Sequence, residues 1–505
     1  MSNIGVGAER LSRIVGYNVS AGNKATNSAN LPISIAILSQ INNSNESGFD
    51  FTVPYTVTSA QQAGNLFGYG SPAHRIMQIL RPQNGGVGGI PTIVYPIAKV
   101  DGSANNIKSI TPTGTATANV THTIVIAGRR ATDVRYDINI ETGDTPADIA
   151  AKIFDMVGSS LDIPVTASLD SPVTLCSLNA KWRGLLSAFE LSVDTNGNAG
   201  GITYAIAETT AASGTPSVTA ALAEIGNRWD NMIINAIGSD STTLSAFETW
   251  NGIPSQTAPT GRYTGIIMRP ATVFTGSTLA NPSSLTSARR NNCTICIAPA
   301  PNSKGFSFEA AANMVALYAP IAQSNPHIGA GGLNYPDMPV PADGVIGVMS
   351  DYNERDAIVK LGCSTVDLVA GVYQIQDMVT TYRPIGDADP KFRYVRDLFV
   401  DWNIRYAYYL KELLYVVDKV ITSDGAQVAV GNTITPKKWK QQLAALANEF
   451  ERRALIARAS YMIENTTVVV NSTNPNRLDT EFAYERTGVA NISSTMAFAN
   501  SYFGE

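Results

Sequence analysis

Few residues in this chain of 505 have the types and spacing that chemistry requires. Cys293 and Cys296 form a C-x-x-C pair, which is the spacing of zinc ligands and of redox-active dithiols. The pair lies inside the apolar run NNCTICIAPA, which is typical of a buried strand. Because burial makes thiols unreactive, we interpret both as structural thiols and keep metal or redox chemistry as the alternative.

The three histidines, His74, His122 and His327, are widely separated along the chain. Nucleophilic catalysis needs a base within hydrogen-bond reach of the nucleophile, and no G-x-S-x-G elbow marks such a nucleophile here. No phosphate-binding G-x-x-x-x-G-K-[ST] loop occurs either. We expect structural or solvent-exposed histidines.

Two pairs of acidic residues have the types of a general acid and base, Asp387 with Asp389 and Asp351 with Glu354. The first pair lies in the loop sequence RPIGDADPK, where a helix cap or a turn is the simpler interpretation. The sequence therefore predicts a protein that is not an enzyme and has no catalytic residue, metal site or cofactor.

Composition narrows the classes of function further. The net charge is −5 and no basic run stands out, so the sequence lacks the clustered positive charge that is typical of nucleic-acid-binding proteins. No apolar stretch approaches the roughly 20 residues that span a bilayer, and the first residues lack a secretory signal. We expect a protein that stays in a cytoplasm unless it leaves inside a larger assembly. Charged residues make up only 15%, which predicts that much of the surface faces partners.

The length predicts two to four domains. Alternating strand and helix patterns before and after a Thr/Ala/Gly/Val-rich stretch indicate a helix-covered α/β (α+β) core with a small β-rich insertion. One continuous domain is the alternative to an insertion. The predicted boundaries are residues 1–28 for an N-terminal arm, 29–101 with 219–355 for a central domain, 102–218 for the insertion, 356–487 for a C-terminal domain and 488–505 for a C-terminal arm.

The clearest strand is LPISIAILSQ, in which Ile33, Ile35 and Ile37 share one face. Inside the insertion, Thr145 is a predicted helix N-cap, with Pro146 at the first helical position and Asp148 completing a capping box. The C-terminal third contains two predicted long helices, one extending to Val420 and one over residues 436–463. The strand patterns NTTVVVNS and RLDTEFAYER follow them.

Both ends of the chain carry strand-like alternation where a fraying tail is expected. Ile492, Met496 and Phe498 lie on one face at period two near the C-terminus. An exposed terminal strand in a monomer invites aggregation. The pattern therefore raises the question of what such a strand pairs with.

Several segments resemble contractile phage tail sheath proteins, most closely those of Mu-like phages. They are LPISIAILSQ, NRWDNMIINAIGS, the run MVTTYRPIGDADPKFRYVRDLFVDWNIRYAYYLKEL and the terminal NPNRLDTEFAYERTGVANISSTMAFA. The resemblance covers about 390 residues, as most of 1–101 and 219–505, and leaves out 102–218. The order of these motifs along the chain carries the resemblance more than any one of them.

The resemblance implies a structural subunit that polymerises as stacked hexameric rings around a tail tube. Contraction then drives the tube through the host envelope for genome delivery. The implied partners are neighbouring copies, the tail tube protein, and baseplate and tail terminator proteins, with no nucleic acid and no membrane. The implied location is the tail of a virion assembled in the host bacterial cytoplasm.

The resemblance also implies site residues, because sheath subunits extend arms that complete a neighbour's sheet. We expect two arms and a receiving sheet, and we assign the tube-facing surface to the start of helix 436–463. The arm residues are Val15, Tyr17 and Val19 at the N-terminus and Val489, Ile492, Met496 and Phe498 at the C-terminus. The receiving residues are Val468, Val470, Phe482 and Tyr484, and the tube-facing residues are Lys437, Lys438 and Lys440.

Alternatives remain open at this point. Within the class, the chain is the sheath of a phage-derived bacteriocin or of another contractile injection system. Outside it, the chain is a secreted hydrolase or a carbohydrate-binding surface protein. The arms have an intramolecular hairpin as their alternative, and the lysines have a solvent-exposed helix end.

Overall fold

A computed structural model of the protein describes residues 30–82, 86–130, 136–254, 259–263, 268–335, 337–341, 348–384, 391–428 and 430–490. The helices in these ranges are α1 Ala60–Phe67, α2 Pro72–Leu80, α3 Pro146–Gly158, α4 Thr219–Ile225, α5 Ser241–Asn251, α6 Ser307–Ser324, α7 Tyr352–Lys360, α8 Val395–Tyr415, α9 Pro436–Arg452 and α10 Ala459–Glu464. The strands are β1 Ile35–Ser39, β2 Tyr55–Thr56, β3 Thr92–Pro96, β4 Ile107–Thr113, β5 Val120–Ile126, β6 Asp137–Ile140, β7 Val165–Leu169, β8 Cys176–Ala180, β9 Leu191–Asp194, β10 Thr203–Thr210, β11 Met232–Ala236, β12 Thr272–Ser277, β13 Ile295–Pro299, β14 Thr365–Val369, β15 Val372–Asp377, β16 Val420–Ile421, β17 Thr433–Ile434, β18 Thr467–Val470 and β19 Leu478–Glu481.

A six-stranded sheet in the order β13-β12-β11-β1-β3-β2 forms the centre of the molecule. All its pairs are parallel except that of β2 with β3. Every residue of the five parallel strands is buried, as expected for a sheet covered on both faces. Ile35 and Ile37 pack into the core on the side of α2 and α6, whereas Ala36 and Leu38 pack into the core on the side of α4 and α5. The predicted α/β class with helix-covered sheets is confirmed.

The stretch between β3 and α4 forms two antiparallel sheets, ordered β10-β4-β8-β7 and β6-β5-β9, together with α3. The start of α3 is the one that the sequence predicts. Thr145 accepts a hydrogen bond from the Asp148 backbone N–H, the Asp148 carboxylate accepts one from the Thr145 backbone N–H, and Pro146 occupies the first turn. Ile149 and Ile153 are buried beneath it.

This β-rich part packs tightly against the central sheet. The Trp182 ring lies 5.2 Å from the Phe306 ring, just before α6. The Glu309 carboxylate, 1% exposed, accepts from Arg75 Nε at 2.9 Å and lies 3.3 Å from Arg129 Nη2 of the inserted part. One continuous hydrophobic core therefore includes residues of both parts. The predicted boundaries of 102–218 stay a prediction.

A second hydrophobic core lies in the C-terminal third, among α8, α9, α10 and the β18–β19 hairpin. Its first helix is shorter than predicted. It ends at Tyr415, and the β-branched residues Val420 and Ile421 pair in parallel with β17 instead of continuing the helix.

The predicted single helix over 436–463 is wrong, because the structure has two helices there. The first ends at Arg452, and Ala454 adopts a positive φ of 52°. The turn directs Leu455 and Ile456 into the core. Without a glycine or proline in RRALIARAS, the sequence contains no signal for this break.

Candidate functional site: a strand hairpin and the cleft beside it

The β18–β19 hairpin is a two-stranded antiparallel sheet that pairs Val468 with Thr480 and Val470 with Leu478. In the part of the chain that the structure describes, no third strand joins it. Each strand therefore presents one open edge of backbone N–H and C=O groups. Val469 is 56% exposed. Two strands alone are marginally stable in water, so the hairpin depends on what it packs against.

The helical core holds this hairpin in place. Trp439 of α9 donates through Nε1 to Thr480 Oγ1 at 3.1 Å. The Phe482 ring lies 5.3 Å from the Tyr408 ring of α8, and Tyr408 in turn lies 5.9 Å from Trp439. A fixed hairpin with open edges is the geometry that accepts an incoming strand.

The predicted receiving residues divide into two groups. Val468 and Val470 lie in β18, whereas Phe482 and Tyr484 lie beyond Glu481, the last residue of β19. After β19 the chain turns towards α8, where the Tyr484 hydroxyl donates to Asp401 Oδ1 at 2.9 Å. The alternation in RLDTEFAYER thus continues past the end of the strand.

Main-chain contacts then fix residues 485–487 against the break between α9 and α10. Ala457 N donates to Glu485 O at 2.8 Å, and Ile456 forms an isolated antiparallel bridge with Arg486. The Thr487 hydroxyl donates to Ala454 O at 2.6 Å. The C-terminal segment is therefore tied to the body of the protein as far as Thr487.

Charged side chains reinforce the same segment, and we call them the Asp401 cluster. Arg486 lies 3.5 Å from a carboxylate oxygen of Asp397 and 3.5 Å from one of Asp401, which are one helical turn apart on α8. Arg396 pairs with Asp397 at 2.8 Å and donates to the Thr487 main chain and hydroxyl. Helix α8 thereby binds the segment in two ways. Its carboxylates face Arg486, and its Arg396 guanidinium donates to Thr487.

Burial raises the pKa of Asp401 to about 6, against the lowering effects of Arg486 and of the Tyr484 hydroxyl. The pKa of Tyr484 is raised for the same reason, burial first and the Asp401 charge second. Asp401 is consequently a buried carboxylate whose ionised form is only partly compensated by its partners.

The sequence interpretation missed the residues of this cluster. Asp397 and Asp401 are spaced i, i+4, which places both carboxylates on one face of α8 but does not identify their partner. Their partner Arg486 follows 85 positions later, and only the folded chain brings it there.

A cleft of about 980 Å³ opens beside this cluster. Its walls include Tyr394, Arg396, Asp401 and Tyr484, and the segment Gly488–Ala490 runs along it. It combines both signs of charge with aromatic rings.

The structure describes only one of the predicted arm residues. Val489 is 45% exposed, whereas Val15, Tyr17, Val19, Ile492, Met496 and Phe498 lie outside the described residues.

The three predicted tube-facing lysines are exposed in the first turns of α9. The helix begins as predicted, with the Thr435 side chain accepting from Lys438 N and Pro436 in the first turn. Asp424 accepts from Lys437 N at 2.7 Å. Cations at a helix N-terminus oppose the helix dipole. The dipole of α9 therefore does not favour lysines at these positions, and Lys437 alone of the three lies beside the Asp424 carboxylate that caps it.

Several residues whose types and spacing suggested catalysis or metal binding have structural roles. All four cysteines are free and buried, and burial raises the pKa of Cys293 and Cys296 to about 12. His74 is buried in α2, where desolvation lowers its pKa to about 4. Asp351 caps α7 by accepting from the Glu354 N–H. Asp387 and Asp389 lie outside the described residues.

Among the described residues, no three His, Cys, Asp or Glu side chains come together as metal ligands do. None of the described helices has both the length and the apolar character of a membrane-spanning segment.

Comparison with known proteins confirms the resemblance that the sequence motifs indicated: this chain is a homologue of a phage tail sheath protein. The relative is the Mu-like prophage FluMu tail sheath protein of Haemophilus influenzae, which is 24% identical over 437 residues, or 84% of each chain. No family model matches the sequence. Among solved structures, a sheath tail protein of Desulfitobacterium hafniense aligns over 93% of this chain and 100% of its own with a TM-score of 0.46 and 11% identity. A chain of the contracted anti-feeding prophage baseplate aligns over 96% and 97% with a TM-score of 0.43 and 10% identity.

Proposed function

We propose that this protein is the structural subunit of a contractile tail sheath. Copies polymerise as stacked hexameric rings around a tail tube, and contraction of the sleeve drives the tube through the host envelope. The homology to a tail sheath protein over most of both chains carries the proposal. The function is mechanical, without catalysis or a cofactor. The partners are other copies, the tube protein, and baseplate and terminator proteins of a virion tail assembled in the bacterial cytoplasm.

The open-edged β18–β19 hairpin supports the way in which we propose that copies are joined. An extended segment of a neighbouring copy adds to the hairpin edge, where main-chain hydrogen bonds supply affinity and alternate side chains set the register. Ile492, Met496 and Phe498 of one neighbour and Val15, Tyr17 and Val19 of another are the segments we assign to this role. Added strands turn a marginal two-stranded hairpin into a stable sheet.

The ties at residues 485–487 support a division between rigid and moving parts. Because the segment is fixed through Thr487, we place the hinge of the C-terminal arm at Gly488, where the ties end. The bodies of the subunits then rotate as units while the connections between them bend. The hinge then lies in the sequence ERTGVANIS, whose glycine, serine and asparagine are typical of flexible linkers.

The surface towards the tube is proposed to be the start of α9. Three exposed lysines that oppose the helix dipole fit an acidic partner surface better than they fit the helix itself. Charge attraction between exposed groups is weak and salt-dependent, which suits a contact that must slide or release during contraction.

Removal of residues 488–505 tests the joining of copies. We expect the shortened chain to lose sedimentable polymer while its thermal unfolding stays that of the full chain, because the arm serves a neighbour. Unfolding of the shortened chain at a markedly lower temperature would show that the segment belongs to its own domain.

A single substitution tests the hairpin edge without shortening the chain. Val469→Lys introduces a charge at an exposed position of β18 and is expected to reduce polymerisation. Val53→Lys is the matched control, since Val53 is also exposed, at 41%, but lies far from the hairpin in sequence. Equal effects of the two lysines on polymerisation would contradict strand addition at the hairpin.

A further inference from the structure

The four-stranded sheet of the inserted part has two open edges, formed by β10 and β7. Its order is β10-β4-β8-β7, and all three neighbouring pairs are antiparallel. The outermost strands therefore run in opposite directions. Within the described ranges, neither strand is paired on its outer side.

The two faces of this sheet differ in chemistry and are continuous across all four strands. On the inner face, paired residues form the apolar row Ile206, Ile110, Cys176 and Leu169. On the outer face, they form the row Ala207, Ser109, Ser177 and Ser168. Both edges thus present an apolar residue on the inner side and a small uncharged residue on the outer side.

Each edge has a stretch of five residues without the features by which soluble proteins block edge pairing, which are charges, prolines and bulges. Thr203–Ala207 of β10 is a regular run of five uncharged residues, and the irregularity of this strand comes only after Glu208. Val165–Leu169 of β7 is likewise five uncharged residues without proline. Ile206, in the middle of the β10 edge, is 38% exposed.

We propose that β10 of one copy pairs with β7 of the next copy, so that the sheets of inserted parts join edge to edge. Because β10 and β7 run in opposite directions, a copy placed beside another in the same orientation continues the antiparallel alternation. The contact joins two different surfaces and repeats from copy to copy, as the contacts of rings and helical filaments do. The two uncharged runs also have equal length.

The faces restrict the register of this pairing. Directly opposed residues lie on the same face, so Ala205 on the outer face lies opposite Ser168 or Thr166 and never opposite Ala167. With Ala205 opposite Ser168, Ile206 lies beside Ala167 of the neighbour and its exposed side chain becomes covered.

The contact is too small to hold two copies together in dilute solution. A strand of five residues is about 17 Å long, whereas stable interfaces bury about 1,200 Å² or more in total. Once the arms hold two copies side by side, the pairing of β10 with β7 becomes an intramolecular step. The high effective concentration of the two edges then favours the pairing. In this respect the inference rests on the proposed function, which supplies the neighbouring copies.

Cysteine cross-linking between copies tests the pairing. Two single variants of the full chain, Ala205→Cys and Ser168→Cys, are mixed before polymerisation, and the polymer is then oxidised. The four native cysteines are buried, so they are not expected to form disulfides between copies. We expect disulfide-linked dimers that contain one copy of each variant. Ala205→Cys mixed with Thr58→Cys, which is also exposed, is the control without cross-linking.

Each outcome of this experiment is decisive. Polymer without mixed dimers, both with Ser168→Cys and with Thr166→Cys in its place, or with dimers of a single variant only, overturns the pairing of β10 with β7 and leaves the sheath proposal intact. Absence of any polymer by electron microscopy contradicts the sheath proposal itself, and the inference falls with it.

A charge pair provides the second test. Ala205→Lys with Ser168→Lys places like charges beside each other only if the edges of two copies meet, and we expect a critical concentration for polymerisation roughly fivefold higher. Ala205→Glu with Ser168→Lys is the matched control with opposite charges, which restores the critical concentration of the unmodified chain. Equal critical concentrations for the two double variants would overturn the inference.

Discussion

Replacement of Asp401 by asparagine is expected to stabilise the attachment of the C-terminal segment at neutral pH. The Asp401 side chain is 16% exposed, and its pKa in the folded protein is about 6, compared with 3.8 for a free aspartate. A pKa difference of about two corresponds to about 3 kcal/mol. Because the folded-state pKa is the higher one, the folded protein binds the extra proton more readily than the unfolded chain.

The sign of the pH dependence follows from this difference. The contribution of Asp401 to stability is most favourable below pH 3.8, is lost progressively as the pH rises towards 6, and is wholly absent above about 6. Asparagine resembles the protonated carboxyl and accepts the Tyr484 hydroxyl in the same way. The Asp401→Asn variant should therefore gain up to about 3 kcal/mol at pH 7.5 and lose this part of the pH dependence.

Hydrogen exchange of the amides that tie the segment measures this gain directly. Ala457 N and Thr487 N, both bonded to main-chain oxygens across the contact, become exchangeable only when the segment detaches. At pH 7.5 we expect their exchange to slow by up to about 100-fold in Asp401→Asn.

Asp397→Asn is the matched control, because it makes the same change one turn away on α8. That carboxylate pairs with the buried Arg396 guanidinium at 2.8 Å, so its loss should speed exchange. Unchanged or faster exchange in Asp401→Asn would refute the interpretation of Asp401 as an incompletely compensated buried charge.

Three further predictions concern the rest of the molecule. Glu309→Gln should destabilise the contact between the central and inserted parts by about 3 kcal/mol, because it leaves the buried Arg75 guanidinium and the partly buried Arg129 guanidinium without their carboxylate. Thermal unfolding measures this loss, and an unchanged profile would contradict it. The pKa of Glu309 is lowered, by the charges of Arg129 and Arg75 that outweigh its burial, so its contribution to stability is present above its unfolded pKa of 4.5 and is lost as the pH falls through its folded pKa. Trp439→Phe should cost about 1 kcal/mol or more in urea unfolding, because it removes the hydrogen bond to Thr480 and leaves unfilled volume at a buried position. A change below a few tenths would show that this residue does not hold the hairpin. A thiol reagent at pH 8 should label no cysteine until the protein is denatured, since burial keeps the thiols protonated and inaccessible, and labelling of native protein would contradict that burial.

Local sequence signals predicted the elements whose causes are local. The Thr145 and Thr435 caps, each followed by proline, mark the starts of α3 and α9 at the observed residues. The apolar run LPISIAILSQ indicates a strand, which the structure forms as β1. These features depend on residues within a few positions of one another, which a single sequence displays.

Features that depend on distant partners were not predictable in the same way. The break after Arg452 arises because Ile456 pairs with Arg486, and the end of α8 arises because Val420 pairs across from Thr433. The Asp401 cluster likewise joins residues far apart in sequence. Tertiary contacts of this kind override helix periodicity, and no local sequence pattern predicts them.

Electron microscopy of the purified full-length chain, without tube or baseplate, tests the central claim most directly. If copies complete one another's sheets, the account predicts long hollow cylinders of stacked rings that are absent when residues 488–505 are removed. A population that stays monomeric at every protein and salt concentration, or cylinders that persist unchanged after that removal, would contradict it.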